Sequence, residues 1–532
     1  MNIKKYMILG GVGLAMGLSS VSCVGDLDLE PIDPTKIFAD PADPEFVGNA
    51  FAECYAIMGF AGTAGPGDAN LSVPDAGASV YNRVIFEMQE FPTDEVFWIW
   101  EDNGLRDMNT NNYSASNKQI EICYSRLYQH IAICNSFLSV TEDNAADPEI
   151  AVMRDEVRTL RAMSYYWVVD IFGNGGFTIG APDGTEPVQT PRAEIAAWLE
   201  TELIDLVENS NLKDVPAYGR VGKDAAEALL ARLYLNYEVY AGTGKWAECL
   251  RRCNNIINRH KGGGFRKSGL AEHFLYLFCR NNSEYMPGGG NAQENEILWG
   301  QPYDADKMQS YGGTTWLIAA PLSEGDLGSQ ASWSCMTARK QLSERFLEEP
   351  NDVRWSLWKT DAQGRGIENE AFLDFSIAGY QALKWNGLTK AIGGAWSETV
   401  TSTTFASTDL AWIRLSDIYL MRAECWLNGV GDPTEALEGV NLVRARAGVS
   451  EWQLGQLTAD NLLEERSREL YYEMTRRTDL IRFGKYVGPA QAVWSWKGNA
   501  PGGSRINDRY ALMPIPTNIL AAQPDFKQNP GF

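Results

Sequence analysis

Three histidines, His130, His260 and His273, are the whole imidazole inventory of this 532-residue chain. That leaves little material for zinc sites or for Ser-His nucleophilic chemistry. No Gly-Lys-Ser/Thr phosphate loop follows a strand pattern, and neither GxSxG nor HExxH occurs. Glycoside hydrolysis needs two carboxylates facing one cleft; Asp94/Glu95 and Glu101/Asp102 have the right type, but among 69 acidic residues no spacing is diagnostic. The densest charged cluster, Glu464, Glu465, Arg466, Arg468, Glu469, Glu473, Arg476, Arg477, Asp479 and Arg482, pairs opposite charges at i,i+3 and i,i+4 on a helix. That is the pattern of a structural ion-pair network rather than an active site. Rings, by contrast, are abundant, with 17 Trp and 22 Tyr. They present flat apolar faces with a polar handle, the surface that stacks on sugars or packs a core. Tyr303, Tyr311, Trp316 and Trp333 fall among Gly, Ser and Thr in the long stretch 285–338, where helical core packing does not account for every ring.

The elements that must position such residues are helices, mostly paired. Apolar residues recur at helical spacing over about 44–58, 116–140, 149–172, 191–209, 223–240, 245–260, 409–428, 433–447 and 458–478. Ala241-Gly242-Thr243-Gly244 breaks one pair and Gly429 to Asp432 another, with Asp432 as an N-cap and Pro433 at the first helical position. Helix, short turn, helix is the tetratricopeptide kind of unit, although the units are not in one tandem array. Trp167, Trp198, Trp246 and Trp426 lie on these helices and read as core. Between the helices run irregular stretches, 61–73, 173–187, 285–338 and 361–409, long enough to be functional or to hold small subdomains.

Composition sets the class. With 45% hydrophobic and 22% charged residues the chain is globular, and its net charge of −23, with no basic block, excludes nucleic acid as a partner. Residues 1–22 read as a leader: Lys4 and Lys5, an apolar stretch shorter than the ~20 residues that span a bilayer, then small residues. Ser20-Val21-Ser22-Cys23 looks like a bacterial lipobox, with Cys23 as the lipid-attachment residue and Ser20 departing from the usual aliphatic residue. The acidic run Asp26, Asp28 and Glu30 resembles the surface-export signals of Bacteroidetes lipoproteins. The eight later cysteines are scattered without a CxxC pair, so they read as small core residues rather than as disulfides or a zinc site. No EF-hand spacing is present, and no metal or cofactor is expected.

Several motifs occur in order along the chain. They include Arg161-Ala162 with Tyr165-Tyr166, Gly222-Lys223-Asp224-Ala225-Ala226, Asn295-Glu296-Ile297-Leu298-Trp299 and Arg414-Leu415-Ser416-Asp417-Ile418-Tyr419. Glu465-Arg466-Ser467-Arg468-Glu469-Leu470-Tyr471-Tyr472-Glu473, continuing through 476–485, is followed by Leu512-Met513-Pro514-Ile515-Pro516 and the ending Gln528-Asn529-Pro530-Gly531-Phe532. Together these resemble the SusD/RagB family. Met474-Thr475 departs from it where the family has Gly after the Glu, a departure that bears on local backbone geometry.

The resemblance implies a mostly α fold: a tetratricopeptide-like helical-hairpin scaffold with helical pairs at about 116–260 and 409–482. It carries an irregular, loop-rich ligand-binding portion at about 61–115 and 285–408, all within one SusD-like domain, 23–532. It further implies a lipid-anchored, outer-membrane protein of the cell surface, not an enzyme. Such a protein binds a nutrient, usually a glycan, and acts as a lid on a SusC-type TonB-dependent transporter. Trp98 and Trp100, just after Thr93-Asp94-Glu95, match a stretch near which relatives place a ligand-facing ring, and Tyr311, Trp316 and Trp333 follow the Glu296 motif, where relatives contribute others. Against that stands simple hydrophobic packing of Phe97-Trp98-Ile99-Trp100. Arg83, Asn103 and Asn70 are candidate polar partners. A peptide-binding lid or scaffold, and a surface glycoside hydrolase, remain alternatives.

Overall fold

The computed structural model describes residues 43–102, 104–180, 184, 187–291, 293–322, 331–359, 380–390, 396–397 and 404–532. The leader 1–22, Cys23 and Asn103 lie outside the described residues. The chain divides into two units, Met1–Ala50 and Phe51–Phe532, and the second is described from here on. In chain order the main elements of the described residues are α1 Pro44–Gly59, α2 Tyr81–Gln89, β1 Val96–Trp98, α3 Leu105–Thr110, α4 Lys118–Val140, α5 Pro148–Trp167, α6 Arg192–Glu208, α7 Lys223–Leu235, α8 Trp246–His260, β2 Ile297–Gln301, α9 Gly313–Ala319, β3 Met336–Ala338, β4 Leu410–Arg414, α10 Leu415–Leu427, α11 Pro433–Arg446, α12 Ala459–Leu470 and α13 Arg476–Arg482.

The fold is mostly α, a scaffold of helical hairpins. Local chemistry starts the helices. Asn117 accepts from the N–H groups of Gln119 and Ile120 at 3.0 and 3.3 Å to open α4. Asp147 with Pro148 opens α5, and Asp432 with Pro433 opens α11 as expected. Neighbours in sequence pack in series, α4 on α5, α5 on α6, α6 on α7 and α7 on α8. The two helical blocks, separated by about 150 residues in sequence, then meet: α8 packs on α10, and α10 on α11. Cys249 and Cys253 of α8 meet Cys425 of α10 there, small side chains that let the helices approach. All eight cysteines from Cys54 onward are buried and free. The tandem array missing from the sequence is thus completed in space.

Strands are short. The described residues form two-stranded antiparallel ribbons, among them β1 with β3 and β2 with β4. The second corrects the expected helix 409–428: its first residues pair with β2, and helix begins only at Leu415. A continuous buried apolar run, Leu410 to Ile413, fits either period, and the tertiary partner decides. The expected helix 458–478 stops at Leu470, because Tyr472 and Met474 hold φ of 63° and 61°. Met474 thus places a side chain on left-handed geometry that costs a residue with a Cβ roughly 1–2 kcal/mol, and its complete burial offsets that cost. Inside the expected irregular stretch 61–115, α2 is a helix of nine residues, all of them buried, its polar side included. Of the helical tryptophans, Trp167 is core, whereas Trp198, Trp246 and Trp426 are only half-buried. Tyr303 is buried.

The charged cluster is structural, yet it is neither local nor solvated. Arg414 pairs with Glu296 at 2.8 Å, Glu469 at 2.9 Å and Glu473 at 2.5 Å, and Arg354 pairs with Glu465 at 2.8 Å and Asp352 at 2.6 Å, all of them buried. Only pairs such as Arg468–Glu465 and Arg482–Asp479 use the helical spacing. Burial acts to raise the Glu469 carboxyl, but Arg446, Arg414 and Arg354 around it hold it well below the usual carboxylate range.

Candidate functional site

Four segments, spread over about 260 residues, are laced together around α2. The first carries Trp98 and Trp100. Its entry is gripped by the signature helices: Arg476 of α13 makes two 2.8 Å bonds to Asp94, Arg345 adds one at 2.5 Å, and Ser467 of α12 donates to Glu95 at 2.5 Å. Burial acts to raise the Asp94 carboxyl, but Arg476 and Arg345 hold it far below its ordinary range. Asn109 of α3 then clamps the Trp98 backbone, accepting from its N–H at 3.1 Å and donating to its carbonyl at 2.6 Å.

The second segment pairs with the first in register, Trp98 opposite Met336, and the Ile99 N–H donates to the Cys335 carbonyl at 2.8 Å. Trp333 is held from the other side, its N–H donating to the Ala319 carbonyl at the end of α9 at 2.8 Å. The third contact is backbone on backbone. A Cβ on Gly77 would lie 2.5 Å from the Tyr311 carbonyl carbon, and one on Gly312 would lie 2.4 Å from Val80 Cβ. Glycine at both positions lets residues 75–80 lie directly against 311–313.

These contacts enclose a cavity of about 320 Å³ lined by Asp75, Ala76, Arg83, Trp98, Trp100, Asp102, Tyr311, Trp316 and Trp333. All five rings singled out in the sequence share it. Their exposures differ. Trp98 (3% exposed) and Trp316 (0%) stack at 5.8 Å and 17° as its floor, wedged by the edges of Phe86 and Phe91. Trp100 is 45% exposed and stands edge-on to Trp98 at 6.1 Å. Tyr311, braced by Phe405 at 5.1 Å, and Trp333 are half-buried walls. Trp316 therefore sits on a buried helix, not on a loop.

The polar rim is ordered as well. Arg83 lies 5.3 Å above the Trp316 ring, makes two 2.8 Å bonds to Asp75 and donates to Glu87 at 2.9 Å. Burial raises the Glu87 carboxyl to about 7, against the opposing pull of Arg83. The Trp98 indole donates to Asp102 at 2.6 Å. Of the candidate polar partners Arg83 lines the cavity, whereas Asn70 is engaged by Arg126 at 3.0 Å and is not part of its lining. Asp75 and Ala76 were not singled out in the sequence, where a Pro-Asp-Ala-Gly turn carries no chemical signature; Asp102 appeared there only as one carboxylate among many. Among the described residues no group of His, Cys, Asp and Glu could hold a metal ion.

The pattern of the family described as "SusD family" matches residues 374–532, and that described as "Starch-binding associating with outer membrane" matches 76–235. The starch-binding protein SusD of Bacteroides thetaiotaomicron is 29% identical over 577 aligned positions that span 100% of both chains. Surface glycan-binding protein A from the same organism, solved in complex with laminarihexaose, superposes with a TM-score of 0.68 at 20% identity, covering 91% of this chain and 99% of that one. A SusD superfamily protein from Parabacteroides distasonis gives 0.68 at 19% identity over 92% and 99%. The matched segments carry both the helical scaffold and the signature that grips the Trp98 strand, and this chain belongs to the SusD/RagB family.

Proposed function

We propose that this chain is a non-enzymatic, cell-surface glycan-binding lipoprotein of the outer membrane, anchored through Cys23, that delivers oligosaccharide to a SusC-type TonB-dependent transporter. The observation that carries the proposal is the convergence of five rings on one cavity, with Trp100, Tyr311 and Trp333 open to a ligand above a stacked Trp98–Trp316 floor. The starch- and glycan-binding relatives support it. The axial C–H groups of a pyranose form an apolar face that packs on such rings, each adding about 1 kcal/mol beyond area burial. Several rings together give modest affinity, suited to handing a ligand onward.

Charge narrows the class. Asp75 and Asp102 line the cavity, and Arg83, the cation among the lining residues, is already held by Asp75 and Glu87. A neutral glycan meets no net repulsion there, whereas a uronate or sulfated one faces carboxylates with no cation to spare. Asp75 and Asp102 both serve as acceptors to the chain's own donors, an arrangement that supports binding rather than hydrolysis.

Affinity gel electrophoresis of the unlipidated chain through a panel of soluble polysaccharides, host-type glycans and mucin tests the proposal. Retardation by a neutral glycan, lost in a Trp100→Ala/Trp333→Ala double variant and without release of reducing ends, is the expected result. Retardation by no glycan, or undiminished retardation of the double variant, would overturn it. Co-purification with a SusC-type barrel from membranes tests the transporter arm.

A further inference from the structure

A second cavity, of about 290 Å³, shares no lining residue with the first. Five rings wall it, Tyr55, Phe60, Tyr218, Trp299 and Trp412. The loop from Pro302 to Gly312 serves both cavities, Met308 lining this one and Tyr311 the other.

Most polar groups at these walls are already satisfied. The Tyr55 hydroxyl donates to Glu156 at 2.6 Å and accepts from the Val221 N–H at 3.1 Å, and the Tyr218 hydroxyl donates to Asp409 at 2.5 Å. Arg220 donates to Glu156 at 2.8 Å. Two lining side chains differ. Gln301 is 7% exposed and Trp412 is 2% exposed, yet both amide atoms of Gln301 and the indole nitrogen of Trp412 have no hydrogen-bond partner. Buried polar groups are nearly always paired, so an orphaned amide and an orphaned indole N–H lining one cavity ask for an occupant. Gly59 makes the room: a Cβ there would fall 2.6 Å from Gln301 Nε2 and 1.8 Å from Met308 Cε.

We infer that this cavity is a second binding site, separate from the ring cavity and independent of the proposed glycan function, for a small uncharged aromatic alcohol of the phenol class. A hydroxyl can donate to Gln301 Oε1 while accepting from Gln301 Nε2 or Trp412 Nε1, and one aromatic ring suits the volume and the ring-and-thioether walls. A hexose would bring several hydroxyls to walls whose buried, unpaired side-chain atoms are three, Gln301 Oε1 and Nε2 and Trp412 Nε1. An anion would find the guanidinium of Arg220 already paired. An apolar pocket with a few convergent polar atoms is the usual form of a small-molecule site.

Phenol itself is the probe, titrated into the purified chain carrying methyl-13C methionine, with the Met58 and Met308 resonances assigned by single Met→Leu variants. Saturable shifts of both methyls at about 1 mM phenol are expected. Gln301→Leu, which removes the orphan amide at nearly the same volume, should weaken that response about tenfold and raise the thermal unfolding midpoint. Trp100→Ala, in the other cavity, should leave the response unchanged. Static Met58 and Met308 methyls would overturn the inference. So would an undiminished response in Gln301→Leu, or a lowered midpoint in that variant, which would mean that solvent already satisfies the amide.

Discussion

Trp98 and Trp100 are two residues apart and belong to one apolar run, but the strand ends between them. Trp98 stays under Trp316, and Trp100 turns out to solvent. The two should therefore fail differently when truncated. Trp100→Ala and Trp333→Ala are expected to weaken glycan retention about five- to tenfold each, measured by affinity electrophoresis, with the unfolding midpoint unchanged. Trp316→Ala, at a fully buried position, should instead cost about 3–5 kcal/mol in urea unfolding. The rim has a pH signature. Burial lifts Glu87 to about 7, above the 4.5 of an unperturbed glutamate, so between those values the folded state keeps a proton that the unfolded chain releases. Its contribution is full below about 4.5 and is lost as pH rises through 7. Glu95, also raised to about 7 chiefly by burial, acts in the same direction. Thermal midpoints should fall from pH 5 to pH 8, and Glu87→Gln should flatten part of that slope; an unchanged slope would contradict the assignment. Ring types were legible in the sequence, but exposure was not, because it depends on which ring a distant helix covers.

At the scale of elements, α12 and α13 serve as an anchor for strands that come from elsewhere. Glu469 and Glu473 meet Arg414 at the end of β4, and Arg476 meets Asp94 at the entry to β1. Replacing Arg414 by Met should leave the buried cluster one positive charge short, with Arg446 still on Glu296 and Glu469 and Lys384 still on Glu473, and cost about 3–5 kcal/mol, measured by denaturant titration. Added salt should not reproduce that loss in the wild type, because screening ions do not reach buried pairs. Asn109→Ala tests the clamp on Trp98: unpaired backbone groups there should cost about 1–3 kcal/mol, with weaker glycan retention from the loosened strand. Helix starts were legible because a cap and a proline act within a few residues. The switch from helix to strand at Leu410 to Arg414 was not, since β2, the partner that imposes it, lies more than a hundred residues earlier.

At the scale of the whole molecule, net charge governs encounter with a ligand, and the proposed tether at Cys23 would fix where that encounter takes place. The chain carries −23, and its ring cavity adds carboxylates without a free cation. Neutral glycans should be retained almost equally over a range of NaCl, while uronate-rich or sulfated ones pass unretarded; salt-dependent capture of a polyanion would contradict the charge argument. Cys23→Ala should move the protein from the membrane to the soluble fraction in cell fractionation.

Class, helical pairing and ring-rich character were set by the sequence itself, because periodicity, capping and composition act locally and are written in consecutive residues. Membership in the SusD/RagB family was legible for the same reason, its motifs being short runs in fixed order. Tertiary structure alone decided three things: that two helical blocks close into one array through α8 and α10, that the charged signature is buried and grips β1, and that rings from residues 98–100 and 311–333 face one cavity. Each depends on contacts between segments far apart in the chain. There, glycine approaches such as Gly77 against Tyr311, and long-range ion pairs, fix a geometry that no local pattern encodes.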